Sequence, residues 1–174
     1  METNIMRQAR FIEQLEELWA MEQLILESLP AMIERVSDFG LKNMLRLHYT
    51  ETLNQTSMLR GIAKQLETVI RPRSSKLFDS TMTEADDIVR HGDLTPSIEL
   101  DRLIIAMCRR IEEFEIDQYV SAATEAGKQG LMGVQKTLHT ILMEEKLAKV
   151  KLDFAEKNLS DTHPDDVEEK FITA

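Results

Sequence analysis

The sequence predicts an all-α fold, a four-helix bundle, from two observations. The 174 residues are 43% hydrophobic but only 5% aromatic, and Gly and Pro are scarce. Apolar residues recur at steps of three and four through four long stretches, which is typical of amphipathic helices. This composition and periodicity are those of a helical bundle rather than a β protein. The length suits one compact domain with a substantial core.

The first two helices should form an antiparallel hairpin. The first helix is expected over residues 8–39, with Pro30 kinking it and Gly40 as its stop. The second is expected over about 41–69 and ends before Pro72. Because the turn between them is short, the two helices should lie side by side.

A long connection and a second hairpin follow. Residues 72–94 lose the helical period and form a crossover that could hold a short helix over 84–91, capped by Thr83. Thr95 and Pro96 are expected at the N-cap and first position of a third long helix, ending near 126. A tight turn over 127–130 precedes the fourth helix over 131–158. We expect residues 1–159 to form the bundle and residues 160–174 an acidic, mobile tail.

The order of these segments predicts a ferritin-like bundle. Two antiparallel hairpins are joined by a crossover long enough to run from one end of a bundle to the other. A simple up-down-up-down bundle does not need such a connection. Each hairpin also carries one inward acid per helix, a pattern expected from duplication of a two-helix unit.

Each apolar stripe is interrupted by acids, and the steps of three and four place them on the inward face. A buried ionised carboxylate without a partner is very costly, so acids from four helices most economically indicate metal cations between them. On the fourth helix the phase selects Glu145, because Glu144 lies on the polar face of Thr137 and Lys151. We predict two ions, Fe or Mn, held by Glu22, Glu51, Glu112, Glu115 and Glu145.

The other donors of the common ferritin-like pattern are incomplete. Two helices usually supply Glu-x-x-His, but Asn54 and Ala148 stand at the expected histidine positions. Gln55 and His48 lie one turn from Glu51 and could substitute, although His48 fits a hydrogen-bonded core residue equally well. Lys149, one turn after Glu145, either points outward or replaces one metal.

Charge and residue usage argue against several classes of protein. A net charge of −10 argues against nucleic acid and anionic membranes as partners. No apolar run is long enough to span a membrane, and the first ten residues lack a signal-peptide core, so the expected location is cytoplasmic. The single cysteine, Cys108, excludes a disulfide framework within one chain and is expected in the core. No nucleophile–base pair or glycine-rich phosphate loop is present.

Four segments, taken in order, resemble the YciE/YciF-type ferritin-like family. Residues 19–24 and 28–32 are similar to the family's first helix. Residues 48–55 show the family's His followed by Glu-Thr-x-x-Gln. Residues 111–119 are similar to its Glu-His-Tyr-Glu-Ile segment, and residues 142–146 are similar to its Leu-x-Glu-Glu-Lys segment. The resemblance spans roughly residues 9–159.

The resemblance implies a ferritin-like bundle, often dimeric, in bacterial proteins associated with stress and with a two-metal centre. The family's motif carries over to the same five glutamates. Relatives tend to have Asp at the position of Lys149, and many have His at that of Glu113. A homodimer is the expected assembly. The exposed flank of the first two helices could form the contact, but the sequence does not locate it.

Two functional hypotheses follow. In the first, the chain is a di-metal carboxylate protein acting on iron, oxygen or peroxide. In the second, it is a metal-free structural or stress-associated binding protein on a retired ferritin-like scaffold, with its acids neutralised by Lys149, Gln55, His48 or shared protons. A plain helical adaptor would leave the inward acids unexplained.

Overall fold

A computed structural model describes residues 4–73, 75–91 and 95–161. Its helices are α1 (Asn4–Arg35), α2 (Phe39–Gln65), α3 (Lys76–Asp86), α4 (Ile98–Lys128) and α5 (Met132–Asp161), and a π-helical turn (Asp87–His91) extends α3. Residues 160 and 161 complete α5. The rest of the predicted tail, 162–174, lies outside the described residues.

The four long helices form a closed ring in which α1 and α5 each pack against both α2 and α4. Gln14 near the start of α1 contacts Ser121 near the end of α4, whereas Ser37, just after α1, contacts Asp101 in the first turn of α4. The two helices are therefore antiparallel. Since α1 and α2 form a hairpin, α2 and α4 run in the same direction and the connection between them travels the length of the bundle. The predicted order of hairpin, crossover and hairpin is confirmed.

The crossover runs along α1 and carries α3. The backbone N–H of Arg71 donates to Glu16 of α1 at 3.1 Å. In α3, Phe78 and Met82 are buried, and the Phe78 ring lies 5.0 Å from that of Phe114 in α4. The expected short helix over 84–91 was placed too late. Its cap, Thr83, lies inside α3 and donates to the backbone oxygen of Asp79, because an apolar stripe through Phe78, Met82, Ala85 and Val89 already begins the helix at Lys76.

Two predicted helix ends were also wrong. Asp38 caps α2 by accepting from the backbone N–H of Leu41 at 2.6 Å, so Gly40 lies in the first turn of α2 and does not end α1. Ser97, and not Thr95, caps α4 by accepting from Leu100 N–H at 3.3 Å. In both cases a polar side chain just before the helix accepts from a free N–H group of its first turn.

The bundle core is apolar above and below a polar middle layer. Leu15, Leu59, Leu100, Ile104 and Leu138 are fully buried, as are many of their apolar neighbours. Among the described residues, no helix combines the length and the apolar character needed to cross a membrane.

Candidate metal centre

Four of the predicted acids converge in the middle of the bundle. Glu22 of α1, Glu112 and Glu115 of α4, and Glu145 of α5 are all at most 1% exposed. Each lies on the apolar stripe of its own helix, and this phase turns its side chain inward. The selection of Glu145 over Glu144 by phase agrees with the burial, since Glu144 is only half-buried.

These side chains form two overlapping groups among the described residues. His48, Glu112 and Glu145 each offer one ligand atom, and these atoms lie within 4.8 Å of one another. Glu22, Glu115 and Glu145 form a second group by the same measure. Glu145 belongs to both, so the two groups are adjacent and share one carboxylate.

Five carboxylate oxygens in the two groups lack donors. One oxygen each of Glu22, Glu112 and Glu115, and both oxygens of Glu145, are buried without a hydrogen-bond donor from the described part of the chain. Tyr119 donates its hydroxyl hydrogen to the other oxygen of Glu22. Unpaired buried carboxylates are costly, and hard divalent cations prefer oxygen ligands. The donor set therefore fits metal cations.

Without a metal, protonation neutralises the acids. Burial, with smaller contributions from the charges of Glu22 and Glu51, raises the pKa of Glu112 to about 8, although a hydrogen bond with Glu145 and the charge of Lys151 oppose the rise. Burial also raises the pKa of Glu22, Glu115 and Glu145 well above the usual range, and in each case a neighbouring acid adds to the effect. A proton on Glu112 or Glu145 lets these two carboxyl groups hydrogen-bond each other.

His48 brings an imidazole to the first group. Its Nε2 atom lies 3.2 Å from Oε1 of Glu112, and its Nδ1 atom is buried without a hydrogen-bond partner among the described residues. The pKa of His48 is lowered to about 4. Burial is the largest cause and the charge of Lys151 contributes, whereas the charge of Glu51 opposes the shift. A neutral imidazole is the form that ligates metals.

Glu51, the fifth predicted acid, lies at the edge of the site and in neither group. Its side chain is 24% exposed, and its Oε1 atom accepts from Nζ of Lys151 at 3.0 Å. Its other oxygen, Oε2, is 3.9 Å from Nδ1 of His48. The acids of α1, α4 and α5 are thus brought together, whereas that of α2 is held at the boundary between the site and solvent.

Two lysines of α5 lie near the site, and only one of them reaches it. Lys149 points outward and pairs with Glu113 at 2.6 Å, which was one of the two alternatives for it. Lys151, assigned to the polar face of its helix, reaches Glu51 at the site. Its long side chain spans the edge of the stripe, a reach that helical phase alone does not capture.

Gln55 and Cys108 complete the surroundings. Gln55 is buried and donates through Nε2 to Glu144 at 3.0 Å, while its Oε1 atom has no donor among the described residues. Cys108 is a buried free thiol beside Met32. Burial, together with the charge of Glu112, raises the pKa of Cys108 to about 12, so the cysteine is the inert core residue that was expected.

Known proteins share this fold and about a quarter of this sequence. Protein YciF of Escherichia coli (strain K12) is 25% identical over 153 residues, covering 86% of this chain and 90% of the relative. The solved structure of YcfI from Rhodopseudomonas palustris has a TM-score of 0.80 at 28% identity and covers 84% of this chain and 92% of its own. The crystal structure of the E. coli stress protein YciF has a TM-score of 0.81 at 23% identity, covering 94% of this chain and 100% of its own, and supports the fold.

The family described as Domain of unknown function (DUF892) matches residues 6–162. That range contains all of the acids discussed above and both helical hairpins. With the E. coli YciF relationship it confirms the resemblance to YciE/YciF-type proteins, and this chain belongs to the DUF892 family.

Proposed function

We propose that this chain is a ferritin-like protein that holds two cations, iron or manganese, in a carboxylate-bridged centre and acts on iron, oxygen or peroxide during stress. The observation that supports this function is the sharing of Glu145 between two groups of buried ligand atoms. A relative of the same fold is called a stress protein, which fits the proposed setting.

The residues divide into two ligand sets with one common member. His48 and Glu112 would hold one ion, Glu22 and Glu115 the other, and Glu145 both. Tyr119 fixes Glu22 through its hydroxyl and leaves the second oxygen of Glu22 unpaired. Bound Fe or Mn would supply one-electron redox chemistry at this position. The apolar layers on either side exclude bulk water from the carboxylates.

Metal uptake tests the proposal directly. Protein purified without chelator and titrated anaerobically with Fe²⁺ or Mn²⁺ should bind about two ions per chain, as a paired carboxylate site requires. Glu145→Gln should lose both, because it removes a charged ligand from each set. The matched control is Glu113→Gln, a neighbour of Glu112 that faces solvent and pairs with Lys149. Uptake below about a tenth of an equivalent would count against the centre.

A metal-free role is the second candidate, and the raised pKa values favour it. Glu112 titrates at about 8, and the other buried acids have pKa values well above the usual range, so protons can replace cations near neutral pH. The R. palustris relative is described as a supposed structural protein. In this case the fold is fully stable with EDTA. A fall in melting temperature on chelation would contradict it, because only a bound metal links chelation to unfolding.

The proposal includes a homodimer formed through the exposed apolar stripe of α5 and a cytoplasmic location. Four exposed large apolar side chains form this stripe: Met143, Leu147, Val150 and Phe154. A buried free thiol as the single cysteine suits a reducing compartment.

A further inference from the structure

The pair formed by Lys151 and Glu51 lies at the boundary between solvent and the His48 group. Both side chains are about a quarter exposed, at 28% and 24%. Glu51 holds Lys151 with one oxygen and directs the other toward Nδ1 of His48, 3.9 Å away. Glu51 is therefore adjacent to the ligand group but is oriented by an ammonium instead of by a member of that group.

A small cavity lies directly behind this pair. His48, Glu51, Glu112, Ala148 and Lys151 help to line it, and its volume of ≈ 10 Å³ leaves room for about one water-sized particle. Ala148 contributes to this space because it stands at the position where the common ferritin-like pattern has a bulkier histidine. A cation that enters between α2 and α5 would meet Glu51 and Lys151 first, then this cavity, then His48 and Glu112.

We propose that Lys151 is a built-in counter-cation that holds Glu51 at the mouth of the site and is displaced from it when a metal ion binds. The inference depends on the proposed metal centre. On binding, Glu51 exchanges the ammonium for the divalent ion and adds a carboxylate from α2 to the His48 group. Lys151 then turns to solvent, which its exposed position permits. The exchange is of one cation for another, with no covalent step.

Charge and position both favour this exchange. Lys151 is close enough for its positive charge to act on His48 and Glu112 as well as on Glu51. It therefore both occupies a carboxylate and repels an incoming cation. Removing it should strengthen metal binding, whereas removing an ordinary surface lysine should have little effect.

The test compares Mn²⁺ binding by calorimetry in wild type and variants. Lys151→Met should tighten Mn²⁺ binding at one site by about three- to tenfold, since an ion pair that opposes binding is lost. Lys151→Arg keeps the charge and should remain within about twofold of wild type. Lys149→Met is the matched control, two residues away and also paired with a glutamate, and should change affinity by less than about twofold.

A double-mutant cycle identifies the partner. Glu51→Gln should weaken binding about tenfold, and on that background the effect of Lys151→Met should shrink, because Lys151 acts through Glu51. Equal shifts in Lys151→Met and Lys149→Met, or an undiminished effect without Glu51, would overturn the inference while leaving the metal centre intact. If wild type binds no Mn²⁺ but Lys151→Met does, the inference is supported. If neither binds, both proposals fail.

Discussion

Tyr119 of α4 and Glu22 of α1 are joined by a hydrogen bond in the fully buried centre of the bundle. The phenol hydroxyl is the donor, and it satisfies only one of the two carboxylate oxygens. Burial raises the pKa of Glu22, the charge of Glu145 raises it further, and the bond from Tyr119 partly opposes this rise. Burial likewise raises the pKa of Tyr119, so the phenol remains a donor at neutral pH. The bond therefore favours the ionised form of Glu22 that a metal ion needs.

Tyr119→Phe should therefore affect both stability and metal binding. In the metal-free protein the variant leaves a buried acceptor without its donor, at a cost of about 1–3 kcal/mol in the free energy of unfolding. Mn²⁺ affinity at the Glu22 group should fall about threefold or more, because Glu22 is less well oriented and harder to ionise. Urea unfolding with EDTA and Mn²⁺ calorimetry measure the two effects. Tyr49→Phe, at a half-buried position on α2, is the control. An equal effect of Tyr49→Phe would contradict a specific role for the hydrogen bond from Tyr119 to Glu22.

The two ligand groups should respond separately to substitution. Glu115→Gln removes a ligand only from the Glu22 group, and His48→Ala only from the His48 group. Each variant should therefore retain about one Mn²⁺ per chain and bind the second at least about tenfold more weakly. Metal content measured by mass spectrometry after equilibrium dialysis gives the stoichiometry. Retention of two tightly bound ions in both variants would show that these side chains are not ligands.

The stability of the metal-free protein should fall as pH rises from 6.5 to 8. Folding raises the pKa of Glu112 from 4.5 to about 8 through burial, so the folded state binds more protons than the unfolded state in this window. Glu22, Glu115 and Glu145 shift in the same direction. For each extra proton that the folded state binds, the free energy of unfolding falls by about 1.4 kcal/mol per unit of rise in pH. This stability is fully present below pH 4.5 and is lost as pH rises.

The pKa of His48 shifts in the opposite direction on folding, and this shift sets the lower limit of the pH range chosen for the test. Its pKa falls from 6.5 to about 4 on burial, so its contribution to stability increases with pH between these values and is constant above them. Thermal unfolding with EDTA at pH 6.5, 7.2 and 8 should show decreasing melting temperatures, and Glu112→Gln should flatten the trend. With excess Mn²⁺ the stabilisation by metal should instead grow with pH, because binding needs deprotonated ligands. A rising melting temperature in EDTA over this window would contradict the raised pKa values.

Asp101 is a buried acid with a structural role, and its removal separates stability from metal binding. It accepts from the backbone N–H of Ser37 and of Asp38, both at 2.8 Å, and from the Ser37 hydroxyl at 2.6 Å. Asp101→Ala leaves these donors unpaired and should cost about 2–4 kcal/mol, with Mn²⁺ stoichiometry unchanged. Chemical unfolding and dialysis test both outcomes, with exposed Asp117→Ala as the control. Loss of metal in a folded Asp101→Ala variant would contradict this division of roles.

Helical phase was sufficient to predict the buried acids but not the details around them. An apolar stripe that repeats every 3.6 residues indicates which side of a helix faces inward, and this predicted that Glu145, and not Glu144, is buried. The stripe does not indicate how far a flexible side chain extends, and for this reason the contact of Lys151 with Glu51 was not predicted. Asp101 was also missed, because an acid in the first turn of a helix normally indicates a favourable interaction with the helix dipole. Its true partners follow α1 in the chain and are known only once the fold is formed.

The exposed apolar stripe of α5 should hold two copies of the chain together. On α5, Met143, Leu147, Val150 and Phe154 follow one another at steps of four, three and four, so they form a continuous exposed stripe. Phe154→Glu introduces a charge into this stripe and should shift a wild-type dimer to monomer, since a desolvated unpaired charge is costly in an interface. Sedimentation equilibrium measures the mass, and Val120→Glu, at an exposed position on α4, is the control. A monomeric wild type, or a Phe154→Glu variant that remains dimeric, would exclude this face as the contact.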